Sequence, residues 1–492
     1  MKIADVWRAL VGVDLAPLGS LAAKAVTTTV VDSRAAQTGS LFVALRGERT
    51  DGNLYIADAF AHGAVAAIAE AHAVELNLLG GWVRVGTGDT ALHGSPDLPF
   101  TFVVPDSLAA LQQVAAYWRA QTATVAVGIT GSVGKTTTKE IVANVLAQRY
   151  TTLWSEGNLN NEIGLPLTLL RLTPEHQRVV VEMGMYTLGE ITQLCELARP
   201  RIGVVTNVGP THLERLGSIE RIAQAKSELP RALPPAEEGG VAVLNADDPL
   251  VLAMAGLTRA RVFTYGLNPE AHLWADEIES YGLDGIRLRC HYEGEAFHVR
   301  LPMLGRHSVH TALRAAAVGL VDGLSWTEIL AGLQVERGQL RLMVVSGLRD
   351  TTLIDDTYNA SPDSMLAALN LLAEIANASH RAVAVLGEMY ELGSYEEVGH
   401  RLVGGRAAQI AAKLVAVGPR ARWIADEALA EGMSTADVYP VESNTDAIAV
   451  LQGLMRPGDV LLVKGSRAGG MEKIVDALSR HQSLPWGKHE TT

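Results

Sequence analysis

Gly131, Gly134, Lys135 and Thr136 stand in the stretch TGSVGKTTTKE, directly after the apolar run VAVGI and before a helix-forming segment. Glycines let the main chain curl so that successive N–H groups converge on an anion. Thr130, Gly131, Ser132, Val133, Gly134 and Thr137 would make up that curl and the first turn behind it. An amine at Lys135 would reach the β- and γ-phosphate oxygens of a nucleotide, and the Thr136 hydroxyl would ligate Mg²⁺. The commoner G-x-x-x-x-G-K-[ST] spacing is not met, because position 129 is Ile129, and the shorter T-G-x-x-G-K-T form stands in its place. The bland alternative is an ordinary glycine turn before a helix; strand, loop, Gly-Lys-Thr-Thr and helix coinciding favour the phosphate loop.

Three further side chains could take part in such chemistry. Glu182 ends the apolar run RVVVE. A carboxylate at the C-terminal end of a strand can hold a cation through oxygen ligation, although alone it is more often a helix cap or a solvated end. His212 follows another apolar run, in TNVGPTHLERLGS, and a lone histidine is usually structural or exposed. Lys226 falls in SIERIAQAKSEL, a helical segment where spacing alone favours a solvated lysine.

These residues need a scaffold, and the bulk numbers set its limits. At 492 residues the chain exceeds one hydrophobic core, so about two to four domains are expected. With 48% apolar and 19% charged residues it is globular rather than disordered. No apolar run approaches the roughly 18 residues needed to span a bilayer. The opening MKIADVWRALVGVD carries Asp5 and lacks a signal-peptide core. The two cysteines, Cys195 and Cys290, lack metal spacing, so a reduced, cytoplasmic protein is expected. A net charge of −13 leaves no basic footprint for nucleic acid, while local helix N-termini can still take an anion.

Residues 1–105 carry short strand-like runs, LFVAL and FVVP, broken by turn-rich segments such as GTGDTALHGSPDLP. Pro105-Asp106-Ser107 starts a helix, with Leu108, Leu111, Ala115 and Trp118 at helical spacing and Asp106 or Ser107 as cap. TATVAVGI, QRVVVEMG, RIGVVTNVG and GGVAVLNADD then alternate with helices to about residue 335. Apolar runs ending in polar residues are typical of parallel strands, whose C-terminal ends carry ligands. Segment 265–303 reads as antiparallel strands. From about 337 a second alternating region follows, with TTLIDDTYNASPDS, HRAVAVLGEMYELG, AAKLVAVG and GDVLLVKGSRAGG. The fold class is α/β in three domains. These are a small mixed α/β head (1–105), a central P-loop parallel-sheet domain (106–336) and a Rossmann-like C-terminal α/β domain (337–492).

Taken in order, TGSVGKTTTKE, EGNLNNEIGLPLTLL, EMGM, TNVGPTHLERLGSIERIAQAKSEL, LNADDP, GRHSVHTALRAA, DDTYNASPDSM, LGEMYELG and VKGSRAGGMEKIV resemble the Mur ligase family. These are ATP-dependent, amide-forming enzymes of cell-wall precursor synthesis. The resemblance covers nearly the whole chain. Within the family, the D-x-Y-N-A-[NS]-P-x-S-M and L-G-[DE]-M-x-E-L-G strings resemble those of the members that add D-Ala-D-Ala to UDP-MurNAc-tripeptide.

The resemblance implies ATP, two Mg²⁺ and a CO₂-derived carbamate on Lys226 as cofactors. Lys226 matches the lysine the family carbamoylates, which turns a cation into an anion whose oxygens bind a metal with Glu182 and His212; Thr136 holds the other. Lys135, Lys226, His212 and Glu182 then form the catalytic group. Asp356 and Arg341 match residues that reach the nucleotide from the C-terminal domain, and Asn245 lies in the nucleotide region too. Ser33, Arg34, Arg46 and Gly47 are the candidates for gripping the uridine diphosphate, with Asp51-Gly52-Asn53 where the family often has D-G-H. Asn158, Asn160 and Asn161 of NLNNE should face the muramoyl peptide, with Tyr358 and Asn359 also on the substrate side. The loops GEMYELGS and KGSRAGG are candidates for the dipeptide site, with Lys464, Ser466 and Arg467 of the second as candidates for its carboxylate. One departure stands out. The family commonly shows H-N-x-x-N, whose second Asn contacts adenine, and this chain has Ser308 and Thr311 at the two Asn positions. A hydroxyl cannot donate and accept across adenine as an amide does, so weaker or backbone-mediated base contact is expected at Thr311.

The partners implied are UDP-MurNAc-tripeptide and D-Ala-D-Ala, with no nucleic acid, no membrane span and a monomeric chain. The nearest rival is a sister ligase adding an amino acid to a shorter peptide or glutamate to folate; no D-N-P-R signature of the diamino-acid-adding relative is present, and a folate ligase needs no UDP-type head. A P-loop ATPase switch or a nucleotide kinase are rivals of another class.

Overall fold

The computed structural model describes residues 1–13, 15–47, 50–75, 81–86, 92–93, 98–335, 343–376 and 380–480. Its strands form three sheets, of six, nine and six strands in chain order, each the centre of one α/β unit.

The nine-stranded sheet positions the phosphate loop. Its spatial order is Glu295–Leu301, Ile286–Tyr292, Leu273–Ser280, Arg261–Gly266, Val241–Asn245, Pro200–Val205, Val125–Thr130, Arg178–Glu182, Thr152–Trp154. The strands from Thr152–Trp154 to Arg261–Gly266 are all parallel. They read as continuous apolar runs because helices cover both faces. Lys135–Leu146, Ser308–Val321 and Trp326–Leu333 pack with Val127, Ile129 and Val204 on one side. Gly164–Leu170 and Glu190–Ala198 pack with Val179, Val181 and Val205 on the other. Of the segment read as antiparallel, Leu273–Ser280 joins Arg261–Gly266 in parallel at one edge of this sheet, and Ile286–Tyr292 and Glu295–Leu301 follow antiparallel.

The chain leaves Val125–Thr130 toward Thr152–Trp154 and Arg178–Glu182, then crosses to Pro200–Val205 on the opposite side. This reversal opens a crevice at the C-terminal end of Val125–Thr130, the place where doubly wound sheets bind ligands. Register puts Ile129 beside Glu182 and Thr130 beside Val205, so the loop, the carboxylate and the 206–212 segment leave the sheet at one level.

The first sheet runs Thr28–Val30, Ser40–Val43, Ala66–Glu70, Phe100–Val104, Gly81–Arg84, Leu92–His93. The helix Ser107–Ala120 joins it to the central unit, and Asp106 caps it by accepting from the Ala109 N–H at 2.9 Å. Its Ala110, Leu111 and Val114 enter the head core with Ile3, Trp7, Phe100 and Phe102, while Ala115 enters the central core.

The third sheet runs Met343–Ser346, Thr352–Asp356, Val460–Lys464, Ala382–Gly387, Lys413–Val417, Val438–Val441, with only the first pair antiparallel. Asp356 and Lys464 are register partners at the C-terminal ends of adjacent parallel strands. Both therefore point out of the same edge, toward the central crevice. No helix among the described residues is long and apolar enough to cross a membrane.

Candidate active site

The loop after Val125–Thr130 is tied down from its neighbours. Gly131 has φ 145°, and a Cβ there would meet Thr206 Oγ1 at 1.8 Å, so no other residue fits. Gly134, at φ 82°, caps the helix Lys135–Leu146. The Val133 N–H donates to Asn207 Oδ1 at 2.8 Å, Thr206 Oγ1 donates to Val133 O at 2.7 Å, and Ser132 Oγ donates to Gly209 O at 3.0 Å. These contacts clamp the loop against the end of the next strand, and a helix N-terminus directly behind such a loop is a position that takes an anion. Lys135 Nζ folds back over the loop, donating to Gly131 O at 2.8 Å and Ser132 O at 3.2 Å.

Beside the loop lies Glu182, 1% exposed. Thr136 Oγ1 donates to its Oε2 at 2.5 Å and Asn160 Nδ2 donates to its Oε1 at 2.8 Å. A hydroxyl and a carboxylate thus share one small space, the oxygen donors a hard cation prefers. His212, in the left-handed region at φ 59°, donates from Nδ1 to Glu391 Oε2 at 2.6 Å. That bond holds the Glu391 carboxyl below the usual carboxylate range and leaves Nε2 as the ring's other nitrogen. No three His, Cys, Asp or Glu side chains converge into a metal cluster among the described residues. An anionic oxygen pair on Lys226 would complete the donor set. The residues therefore fit Mg²⁺ on condition that Lys226 is modified.

Lys226 departs from the solvated lysine that its spacing suggested. It is 2% exposed, and burial, with the nearby Lys135 charge second, pushes its amine well below the ordinary lysine pKa. A buried, neutral amine is nucleophilic, which is the form that adds CO₂.

Lys135, Glu182, His212 and Lys226 all line one cavity of about 530 Å³, together with Asn158, Asn160, Asn161, Tyr358, Asn359 and Arg467. A second cavity of about 670 Å³ takes Ser132, Val133, Gly134 and Thr137 from the loop, Met303, Leu304, Ser308 and Thr311 from the central unit, and Asp356, Lys464 and Ser466 from the C-terminal unit. The two spaces share Lys135, Tyr186, His212, Tyr358, Asn359 and Arg467 as a common wall.

Other expected residues have more specific placements. Lys464 is 2% exposed and is held by Asp356 Oδ2 at 2.7 Å while donating to Asn359 O at 2.8 Å, so it braces the nucleotide-side wall. Arg467 lies over the Tyr358 ring at 5.1 Å, and Ser466 Oγ accepts from the Tyr390 N–H at 3.1 Å. Asn161 Oδ1 accepts from the Gly164 N–H at 2.9 Å, at the start of the helix Gly164–Leu170. Asn245 lines neither cavity; its Nδ2 donates to Thr206 O at 3.1 Å, bracing the strand end beneath the loop. Ser33, Arg34, Arg46 and Gly47 stay in the head and line neither cavity; Arg34 pairs with Asp32 at 2.6 Å. Arg341 lies outside the described residues. Tyr186 was not among the expected residues, and Glu391 was expected only as part of the GEMYELGS loop, on the dipeptide side. Glu391 stands inside LGEMYELG, but only the tertiary fold brings that loop to His212.

A clamped glycine loop at the switch point of a parallel sheet, with a buried carboxylate and a buried lysine opposite, defines a P-loop nucleotide-dependent enzyme. Residues 129–319 match the Mur ligase middle domain, residues 340–467 the Mur ligase glutamate ligase domain, and residues 26–87 the Mur ligase family catalytic domain. The UDP-N-acetylmuramoyl-tripeptide–D-alanyl-D-alanine ligase of Mycobacterium tuberculosis is 38% identical over 487 residues, covering 94% of each chain. The Escherichia coli enzyme of the same name is 35% identical over 461 residues, covering 93% of this chain and 94% of its own. Among solved structures, MurF from Acinetobacter baumannii superposes with a TM-score of 0.77 at 31% identity over 92% of both chains. MurF ligase from Thermotoga maritima, in complex with ADP, gives 0.75 at 26% identity, covering 92% of this chain and 97% of that one. The chain belongs to the Mur ligase family.

Proposed function

We propose that this chain joins D-Ala-D-Ala to UDP-MurNAc-tripeptide at the expense of ATP, yielding the pentapeptide precursor of peptidoglycan, ADP and phosphate. The observation that carries the reading is the wall shared by the two cavities. A nucleotide on the phosphate loop and a peptide beside Glu182 and Lys226 would meet across Lys135 and His212. Relatives similar over nearly the whole chain bear the name of this reaction.

The peptide carboxylate oxygen attacks the γ-phosphorus, and the bond from that phosphorus to the ADP oxygen breaks. The acyl phosphate so formed is then attacked at carbon by the dipeptide amine, which loses its proton as phosphate leaves. The first step brings two anions together. Lys135 supplies positive charge at the phosphates, and the loop N–H groups take developing charge on the leaving oxygens. Bound Mg²⁺ would neutralise further phosphate charge, one ion held through Thr136 and a second through Glu182, His212 and a Lys226 carbamate. Asn158, Asn160 and Asn161 orient the muramoyl peptide. Asp356 and Arg341 hold the nucleotide, with Thr311 at its base. Ser466 and Arg467 would take the dipeptide carboxylate, together with Lys464, whose ammonium is steadied by Asp356. Ser33, Arg34, Arg46 and Gly47 hold the uridine diphosphate end. The functional division is head 1–105, central 106–336 and C-terminal 337–492, with the chain acting as a cytoplasmic monomer. Closing the three units excludes water that would otherwise hydrolyse the acyl phosphate.

The test is phosphate release from ATP with each peptide substrate alone and with both together, followed by product mass. Release that needs both substrates, with a product heavier by one dipeptide less water, is expected. ATP hydrolysis indifferent to both would make the chain a P-loop switch instead.

A further inference from the structure

Arg314 lies behind the phosphate loop, on the helix Ser308–Val321, one turn beyond Thr311. It is 5% exposed. Its Nε donates to His310 O of its own helix at 2.8 Å, and its Nη1 is buried with no hydrogen-bond partner. The guanidinium sits 5.8 Å from the Tyr265 ring centroid. A Cβ on Gly134 would meet Nη1 at 3.5 Å, so only the backbone of the loop separates this cation from the face that receives an anion.

No carboxylate pairs with it among the described residues. The nearby Asp247 is committed elsewhere, accepting from His310 Nε2 at 2.8 Å, the Leu267 N–H at 2.7 Å and the Asn268 N–H at 3.1 Å. Burial accordingly lowers the Arg314 pKa, and the nearby Tyr265 offsets part of that shift. The neighbouring charges do not help. The helix Lys135–Leu146 points its positive N-terminal end at the same loop, and Lys135 lies across its front. In the nucleotide-free protein an unpaired buried cation beside a positive helix end is unfavourable, and an apolar side chain of similar length would pack there more stably. That balance reverses when polyphosphate charge lands on the loop.

We propose that Arg314 is a positioning residue for the nucleotide phosphates, a buried counter-charge acting through the Gly134 backbone and matched only when an anion occupies the loop. The inference rests on the nucleotide reading above. It assigns part of the binding to the polyphosphate rather than to the base, on the helix where Thr311 replaces an amide.

The test is calorimetric titration of the full chain with ADP, inorganic tripolyphosphate and adenosine, alongside thermal unfolding of the ligand-free protein. Arg314→Met should weaken ADP and tripolyphosphate about tenfold, as removing one nearby charge does. It should leave adenosine binding unchanged and raise the ligand-free Tm. Arg314→Lys should recover part of the ADP affinity below the lowered pKa that burial gives a lysine there, and lose it as the pH rises through that value. Arg314→Gln repeats the test should the methionine variant fail to fold. Wild-type ADP and tripolyphosphate affinity in both neutral variants would overturn the inference while leaving the nucleotide site standing. So would a lowered Tm with ADP and adenosine weakened equally, since that marks a structural arginine. A wild-type protein that binds neither ADP nor tripolyphosphate would overturn the nucleotide reading itself.

Discussion

Among single residues, Lys226 is the most unusual for its chemistry, an amine 2% exposed beside the phosphate loop. Burial makes its protonated form costly, so the folded protein holds the amine neutral at a pH where an unfolded chain would protonate it. The sign follows. Between the lowered folded pKa and the ordinary lysine value the unfolded state binds more protons, so stability rises with pH across that window and the full penalty is felt below it. Lys226→Met should therefore stabilise CO₂-free protein at neutral pH, with the gain shrinking as pH climbs toward the ordinary lysine value; chemical denaturation at a series of pH values reads this directly. In catalysis the same position is indispensable. Lys226→Ala should lower turnover on the order of a thousandfold while ADP still binds, and short carboxylic acids should restore part of the rate. A mutant of unchanged rate would remove the carbamate from the mechanism. Helical spacing contained the signal for this lysine, although the bland reading hid it. Ile222, Ala225, Lys226 and Leu229 make one buried stripe, so the lysine occupies a core position.

At the scale of elements the phosphate loop depends on two glycines in unequal ways. Gly131→Ala drives a methyl into Thr206 and should cost roughly 3 kcal/mol or more of stability and abolish nucleotide binding. Gly134→Ala meets nothing closer than Arg314 Nη1 at 3.5 Å, so it should cost only about 1–2 kcal/mol for its positive φ. Thermal unfolding of the two variants separates steric closure from backbone strain. The cysteines give an independent check on packing. Burial pushes both Cys195 and Cys290 thiols up to about 12, so neither should react with alkylating reagents at pH 8 until the chain unfolds. The parallel strands and the loop were legible in the sequence because two-sided burial writes uninterrupted apolar runs that stop at polar residues. The strand order was not, since nothing local says that Arg178–Glu182 slips between Val125–Thr130 and Thr152–Trp154. That insertion is what sets Glu182 against Thr136.

For the whole molecule, function requires the C-terminal unit to sit on the central one. Glu391 meets His212 through its side chain and accepts from the Glu214 N–H through its carbonyl at 3.4 Å, and Gly393 abuts the Glu214 backbone. Ser280 Oγ donates to Glu374 Oε2 at 2.5 Å on another part of the same junction. Glu391→Ala should loosen this seam, raising the KM for ATP several-fold and enlarging the radius of gyration seen by X-ray scattering. An unchanged scattering profile and KM would make the contact incidental. In the head, Arg46→Ala should raise the KM for the UDP substrate and leave ADP affinity untouched; equal effects on both would place Arg46 outside the uridine diphosphate grip. These junctions were the least legible part of the chain, because LGEMYELG and TNVGPTHLERLGS announce polar loops but not that the two loops touch. The central claim is that a phosphoryl group passes from a nucleotide in one cavity to a carboxylate in the other across Lys135 and His212. Heavy oxygen placed in the terminal carboxylate of the tripeptide substrate tests it most directly. Phosphorus NMR should show one labelled oxygen in the released phosphate; phosphate free of label, alongside normal amide product, would contradict the account.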